Sequence, residues 1–505
     1  MFLSRSWKRL GLKSIQPSQT SLLFFTQMSR KLHQQPTTNS ISKVALSGNM
    51  SPTSLFEYTA GRWLHLDKQQ RDARYIEFNI DRLFEKVISL RPSATSVTSC
   101  QKIEGGFSKA FIIETDDGRC AVAKLPTSVA GPARHITNSE VATITYLQQK
   151  TKIPIPAILD WNDDPANPIG SAYIIMEHAG GVLLQEAWTD MPSDKKVKCI
   201  GAICTSILPI SELDFPGNDL SSYATALIDS GLARLPPANH PILYQQQASF
   251  QGSVHRHLEL LKVGQAVFSE LLQHSDIRSN AKPTLFHPDL HKRNIFISKD
   301  DPTIVTGIID WQCASVEPAF YYADDVPDFA KVPPEGTLES DERTLCSQAY
   351  EVGWALLAPR LGATRKIDEI LLRPFRYCHR TWRDGFVPFT HELIQLRDAW
   401  KELGFEKDCP VPPLSPEEMS FYKEQLGIYD GLLEFRQDMV ETLGVEGDGW
   451  VSEDRWEGVK KAHQYFYETI MAAMENDKDR EELRTMWPFD QCQPRNRPGS
   501  FHCQS

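Results

Sequence analysis

His287-Pro288-Asp289-Leu290-His291-Lys292-Arg293-Asn294 is followed at once by an apolar extended run that ends at Ile308-Ile309-Asp310-Trp311. Phosphoryl transfer requires a carboxylate that accepts or orients the proton of an attacking hydroxyl. It also requires an amide oxygen and a second carboxylate that hold Mg²⁺ on a triphosphate. Asp289, Asn294 and Asp310 supply these in that order, so Asp289 is the candidate base and Asn294 and Asp310 are the candidate metal ligands. The spacing matters because Asn294 has to return beside Asp289.

Upstream, two further features stand in the order such a site needs. Glu104-Gly105-Gly106-Phe107-Ser108-Lys109 lies between two predicted strands, where glycines without side chains let backbone N–H groups approach a phosphate. A plain hairpin turn gives the same pattern. Ala121-Val122-Ala123-Lys124 then places a lysine inside an apolar strand, where a bare ammonium is costly without an anionic partner. Glu140, on the helix predicted next, can be that partner; the bland alternative has Lys124 snorkelling to solvent from a strand end.

The surrounding pattern divides the chain. The turn Asp116-Asp117-Gly118 between alternating runs Ala110–Thr115 and Cys120–Leu125 predicts a hairpin. Val141, Ile144 and Leu147 predict a helix closed by Pro154 and Pro156, and extended runs 157–161 and 172–176 complete a five-strand, one-helix unit. Helical periodicity dominates beyond about residue 190, with one strand pair at 294–297 and 304–309. Ser415-Pro416-Glu417-Glu418 is a capping box with proline at the first helical position.

Composition bounds the reading. A chain of 505 residues with a hydrophobic fraction of 41% can bury a sizeable core. The ten cysteines are scattered without a C-x-x-C pair and read as free thiols in a reducing compartment. Seven Lys or Arg precede the first acidic residue, Glu57, among many Ser, Thr and Gln, which is transit-peptide chemistry and predicts a mitochondrial protein. Losing those seven charges would take the net charge from −11 to −18, which disfavours nucleic-acid partners. No run of roughly 20 apolar residues occurs, so no membrane span is predicted.

Together these motifs make the chain similar to the aminoglycoside phosphotransferase and choline kinase branch of the protein-kinase-like superfamily, over about Gly105 to Asp310. Phe56-Glu57-Tyr58-Thr59-Ala60-Gly61-Arg62-Trp63-Leu64, Phe78-Asn79-Ile80 and the basic leader resemble, within it, the fungal mitochondrial family "altered inheritance of mitochondria protein 9". The resemblance implies an α+β, bilobal protein-kinase-like fold: a small antiparallel β-sheet N-lobe with one helix and a larger, mainly helical C-lobe. The expected division is a leader at 1–56, a helical extension at 57–95, an N-lobe at 96–179, a C-lobe at 180–487 and a loose tail at 488–505.

It also implies roles. Met176-Glu177-His178-Ala179-Gly180-Gly181 resembles the hinge, so the Glu177 carbonyl and Ala179 amide would meet adenine. Gly105, Gly106 and Ser108 would touch phosphate, and Lys124 paired with Glu140 would hold the α and β phosphates. The implied cofactors are ATP and Mg²⁺ and the implied acceptor is a small-molecule hydroxyl. Trp311-Gln312 stands where protein kinases have Phe-Gly, which argues against a protein substrate. The loop lacks a full G-x-G-x-x-G.

Three alternatives remain beside this reading. One is a kinase-fold scaffold that binds nucleotide without turnover. Another is zinc on His287 and His291, against which Pro288 and Asp289 between them suit a loop. The third is a structural helical protein that carries the motif by accident, which leaves the ordered series unexplained. Within the kinase reading itself, Asp324, Asp325 and Asp328 form either an acidic acceptor wall or a solvated loop.

Overall fold

The computed structural model describes residues 52–217, 219–237, 249–322, 325–332, 340–474 and 476–489. The leader up to residue 51, Asp324 and the tail from residue 490 lie outside them. Described residues begin with a short helix, Pro52–Phe56, strand β1 (Gly61–Trp63), a helix at Asp67–Asp72 and a helix at Ile80–Ser89. The last is capped by the Asn79 side chain, which accepts from the Arg82 N–H at 3.0 Å.

The N-lobe sheet contains β2 (Val97–Glu104), β3 (Ser108–Thr115), β4 (Cys120–Pro126), β5 (Ile158–Asn162) and β6 (Tyr173–Glu177). Its order is β2-β3-β4-β6-β5, antiparallel throughout. Side chains alternate across a strand, and Phe111, Ile113, Ala121, Ala123 and Leu125 bury one face against Leu83 and Val87. The opposite face takes Val141 of the Ala133–Lys150 helix against Ile174 and Met176. Ile144 and Leu147 of that helix continue into a cluster with Leu285, Ile308 and Trp311, which seats the N-lobe helix on the C-lobe.

Beyond the hinge, β7 (Val182–Leu183) joins β9 (Ile295–Ile297) and β10 (Val305–Ile308), while β8 (Pro283–Phe286) pairs with β11 (Ser315–Pro318). Only glycine fits at 181: its φ is +94°, and a Cβ there would collide with the Ile297 carbonyl. The C-lobe core joins helices Leu220–Ala233, Val254–Leu271, Glu369–Tyr377 and Phe386–Ala399, with Phe268 and Phe375 stacked at 4.5 Å.

The capping box at Ser415 forms as expected and starts a helix of 28 residues, Pro416–Leu443. Its first half packs Tyr422 on Phe386 and Val387 in the C-lobe. Its second half belongs elsewhere: Phe435, Met439 and Leu443 bury against Leu64, Trp456, Val459, Phe466 and Phe489. The segment expected to end one C-lobe at 487 therefore departs from it and joins the N-terminal extension. There β1 pairs antiparallel with β12 (Trp450–Ser452), and a Cβ on Gly61 would collide with the Val451 carbonyl.

Candidate active site

The string that opened the sequence reading folds as a loop and one 3-10 turn, Lys292–Asn294, between β8 and β9. Asn294, 6% exposed, donates from its amide nitrogen to the Asp289 carbonyl and carboxylate, both at 2.8 Å. The return of Asn294 to Asp289 is thus a pair of hydrogen bonds. The Ile309 N–H donates to the Asn294 carbonyl at 3.0 Å, which fixes the approach to Asp310.

His287 holds this arrangement from behind. Its Nδ1 accepts from the Asp289 N–H at 3.1 Å, so its Nε2 carries the proton and donates to the Ile309 carbonyl at 3.0 Å. Burial holds its pKa below the usual histidine value, so the ring stays neutral. Both ring nitrogens are engaged by backbone, and no cluster of metal-ligating side chains occurs among the described residues. His287 therefore ties Asp289 to the strand leading into Asp310, a positioning part that the sequence reading left unassigned.

Asp310 has φ +66°, a left-handed conformation that costs a non-glycine residue on the order of 1–3 kcal/mol. Trp311, fully buried, anchors the turn and donates to the Ile308 carbonyl at 3.1 Å. The turn aims the Asp310 carboxylate across the cleft at the N-lobe. Lys124 Nζ lies 2.7 Å from Asp310 Oδ1 and 2.8 and 2.9 Å from the two oxygens of Glu140. Lys124 does not snorkel to solvent: its ammonium is held by two carboxylates, one from each lobe.

Electrostatics follows from that geometry. Burial pulls the Lys124 pKa down, but Glu140 and Asp310 reverse this and the net shift is upward, so the ammonium is charged. Burial raises the Asp310 carboxyl, and Lys124 more than offsets it, leaving it below the ordinary carboxylate range. Burial instead leaves Glu140 raised, even beside Lys124. Asp310 is the better-stabilised anion, and its side chain keeps 42% of its surface open where that of Glu140 keeps 3%.

Gly105 and Gly106 sit at the β2–β3 turn, where the Gly105 N–H donates to the Ser108 carbonyl at 2.9 Å. Neither glycine has a positive φ, and a Cβ on Gly106 would meet nothing within 4 Å, so the turn does not itself demand glycine there. Ser108 stands two residues from the partner of Lys124 on β3, since Ala110 pairs with Lys124. At the hinge, Arg91 grips the Glu177 carboxylate at 2.6 and 2.8 Å and the Cys120 carbonyl at 3.1 Å. The acidic side chain of Glu177 is therefore spent on Arg91, and the Glu177 N–H donates to the Ala157 carbonyl at 2.8 Å.

Two departures concern charge. Arg293 lies 2.7 and 2.8 Å from the two Asp289 oxygens, a bidentate pair that the motif alone did not suggest. Asp328 accepts from the Lys292 N–H at 3.1 Å and lies 3.5 Å from Lys292 Nζ, so this member of the acidic trio is already partnered. Asp325 lines, with Ile207, Leu285, Tyr322, Tyr350 and Trp354, a cavity beside the 287–294 loop whose walls are chiefly apolar, aliphatic and aromatic together.

Residues 99–321 match the model of the phosphotransferase enzyme family. A subtelomeric hrmA-associated cluster protein of Aspergillus fumigatus is 36% identical over 126 residues, so the chain spans a quarter (25%) of that relative's length. The protein of Yarrowia lipolytica named "Altered inheritance of mitochondria protein 9, mitochondrial" is 20% identical over 80% of this chain and 85% of its own. The same name is carried by a relative from Lachancea thermotolerans, 20% identical over 81% of this chain and 89% of its own. Among solved structures, an aminoglycoside phosphotransferase of Streptomyces rimosus with ADP and streptomycin covers 54% of this chain and 90% of its own, at 18% identity and TM-score 0.33. The expected kinship with phosphotransferases and with fungal proteins of mitochondrial designation is met.

Proposed function

We propose that this chain, which carries a phosphotransferase-family domain at residues 99–321, transfers the γ-phosphate of ATP under Mg²⁺ to a small-molecule hydroxyl in mitochondria. The observation that carries the reading is Lys124, which joins the N-lobe Glu140 to the C-lobe Asp310 at hydrogen-bond distance. A hard divalent cation takes oxygen ligands, and Asp310 and Asn294 fit it; when bound it neutralises charge on the phosphates. Lys124 would then turn its ammonium to the α and β phosphates while Glu140 keeps it in place. Asp289 accepts the proton of the attacking hydroxyl. His287, through the Asp289 N–H and the Ile309 carbonyl, keeps the base and the metal carboxylate in register. Glu177 and Ala179 would present backbone groups to adenine, and Gly105, Gly106 and Ser108 would meet phosphate.

A second reading is a kinase-fold protein that binds nucleotide with little turnover, and Arg293 favours it. A guanidinium on both Asp289 oxygens competes with an incoming hydroxyl for the same carboxylate.

Calorimetry of Mg²⁺·ATP binding, with Asp310→Ala alongside, tests both. Saturable, Mg²⁺-dependent binding that the variant loses is expected; no binding by the unaltered chain would sink the proposal. Any truncation must stop short of Ser54, because the carbonyls of Ser54 and Phe56 accept from Lys102 and Lys109.

A further inference from the structure

The glycine turn is gripped from outside the N-lobe. Arg74, 5% exposed, donates from Nε to the Gly106 carbonyl at 3.0 Å. Its Nη1 is spent on the Gln70 carbonyl and side chain at 2.9 and 2.8 Å. The guanidinium lies over the Trp63 ring, 4.4 Å from its centroid, with Tyr58 at 5.8 Å. Those rings are in turn fixed by the C-terminal segment. Trp63 Nε1 donates to Asp448 at 2.9 Å, Trp450 Nε1 donates to the Tyr58 hydroxyl at 3.0 Å, and β1 pairs with β12.

A trans peptide is planar, with C=O and the following N–H pointing opposite ways. Fixing the Gly106 carbonyl on Arg74 therefore fixes the direction of the Phe107 N–H. The Phe107 carbonyl is held likewise, by the N–H and hydroxyl of Thr127, both at 2.9 Å. With two consecutive peptide planes turned inward by their oxygens, their N–H groups are turned the other way, as a phosphate-binding turn needs.

We infer that Arg74 is a positioning residue for the glycine turn, aiming the Phe107 N–H at the nucleotide phosphates, and that the C-terminal segment holds Arg74 in place through Trp63 and Tyr58. This rests on the nucleotide reading above. It differs from a mere stabilising role for the extension in what it predicts for ligand affinity.

The test uses the full chain with Arg74→Lys, which keeps the charge but loses the planar fork, and Asp448→Ala, which removes a remote support. Calorimetry with Mg²⁺·ATP should show Kd weakened about tenfold and about threefold respectively, while kcat on any acceptor found changes less than twofold, since Asp289 and Asp310 are untouched. Hydrogen exchange should quicken at the Gly105 amide, which is bonded across the turn to Ser108. A lowered Tm in Arg74→Lys with unchanged Kd overturns the inference. If the unaltered chain binds no Mg²⁺·ATP, the nucleotide reading fails and the inference falls with it; binding by the unaltered chain that Arg74→Lys leaves unchanged overturns the inference alone.

Discussion

Two lysine–carboxylate knots lie within a few residues of each other on the N-lobe sheet, and they do opposite work. Lys124 meets Glu140 and Asp310, and Asp310 stands 42% open to the cleft. Lys102 and Lys109, 3% and 1% exposed, share Glu104 at 3.0 and 3.6 Å. Lys102 also donates to the Ser54 carbonyl at 2.6 Å, Lys109 to the Glu57 carbonyl at 2.7 Å, and Glu104 accepts from the N–H groups of Thr59 and Ala60 at 2.7 and 2.8 Å. The first knot joins two lobes through side chains and leaves one carboxylate reachable. The second is saturated by backbone and seals the extension onto the sheet. A buried lysine thus marks a site only when a partner can exchange it for a ligand.

The largest expected effect separates the knots outright. Asp310→Ala should abolish the Mg²⁺-dependent thermal shift with ATP while leaving the fold intact, because its carboxylate is half open and its backbone turn is held by Trp311. Glu104→Ala should do the reverse, costing about 3–5 kcal/mol in urea unfolding by stranding two buried ammonium groups, with nucleotide affinity unchanged in the folded fraction. Loss of binding without loss of stability in Glu104→Ala would erase the distinction.

pH sharpens it further. Burial pulls the Lys109 pKa down to about 8 from its ordinary 10.5. The unfolded chain then binds the extra proton between those values, so the cost of holding Lys109 is full below pH 8 and fades as pH rises toward 10.5. The gain is roughly 3 kcal/mol at most, and it should vanish in Lys109→Met when urea midpoints are followed across that window. The smallest effect concerns Arg293, whose side chain is 59% exposed. An exposed pair is worth up to about 1 kcal/mol, so Arg293→Ala should raise turnover by no more than about fivefold if Asp289 is the base. A complete loss of turnover would instead place Arg293 on the transferred phosphate.

The members of the first knot were legible in the sequence because each falls inside a strong local pattern: Lys124 in an apolar strand, Glu140 beside Val141 and Ile144, and Asp310 after Ile308-Ile309. Only the pairing of Lys124 with Glu140 was read, however, and its contact with Asp310 was not. The second also left a signal. Lys109 shares the face of Phe111 and Ile113 on β3, so period-2 phase put it inside, whereas on β2 Val97 and Ile103 lie opposite Cys100 and Lys102 and the alternation left Lys102 undecided. The alternation was read for strands and not for which charges it buried. Nothing local could reveal the pairing of β1 with β12, two three-residue strands 387 or more residues apart, or that the Pro416–Leu443 helix changes cores halfway. Such contacts are set by tertiary packing, for which a single chain's periodicity carries no sign.

That helix has a mechanical consequence. At 1.5 Å per residue, its 28 residues form a rod about 42 Å long, with one end bedded in the C-lobe and the other in the unit that carries Leu64. The hinge at Gly180-Gly181 is then not the sole joint between the lobes. The described chain forms a closed linkage, in which opening the cleft at one joint must bend or slide the other, and the travel of the lobes is limited by the stiffness of a single helix.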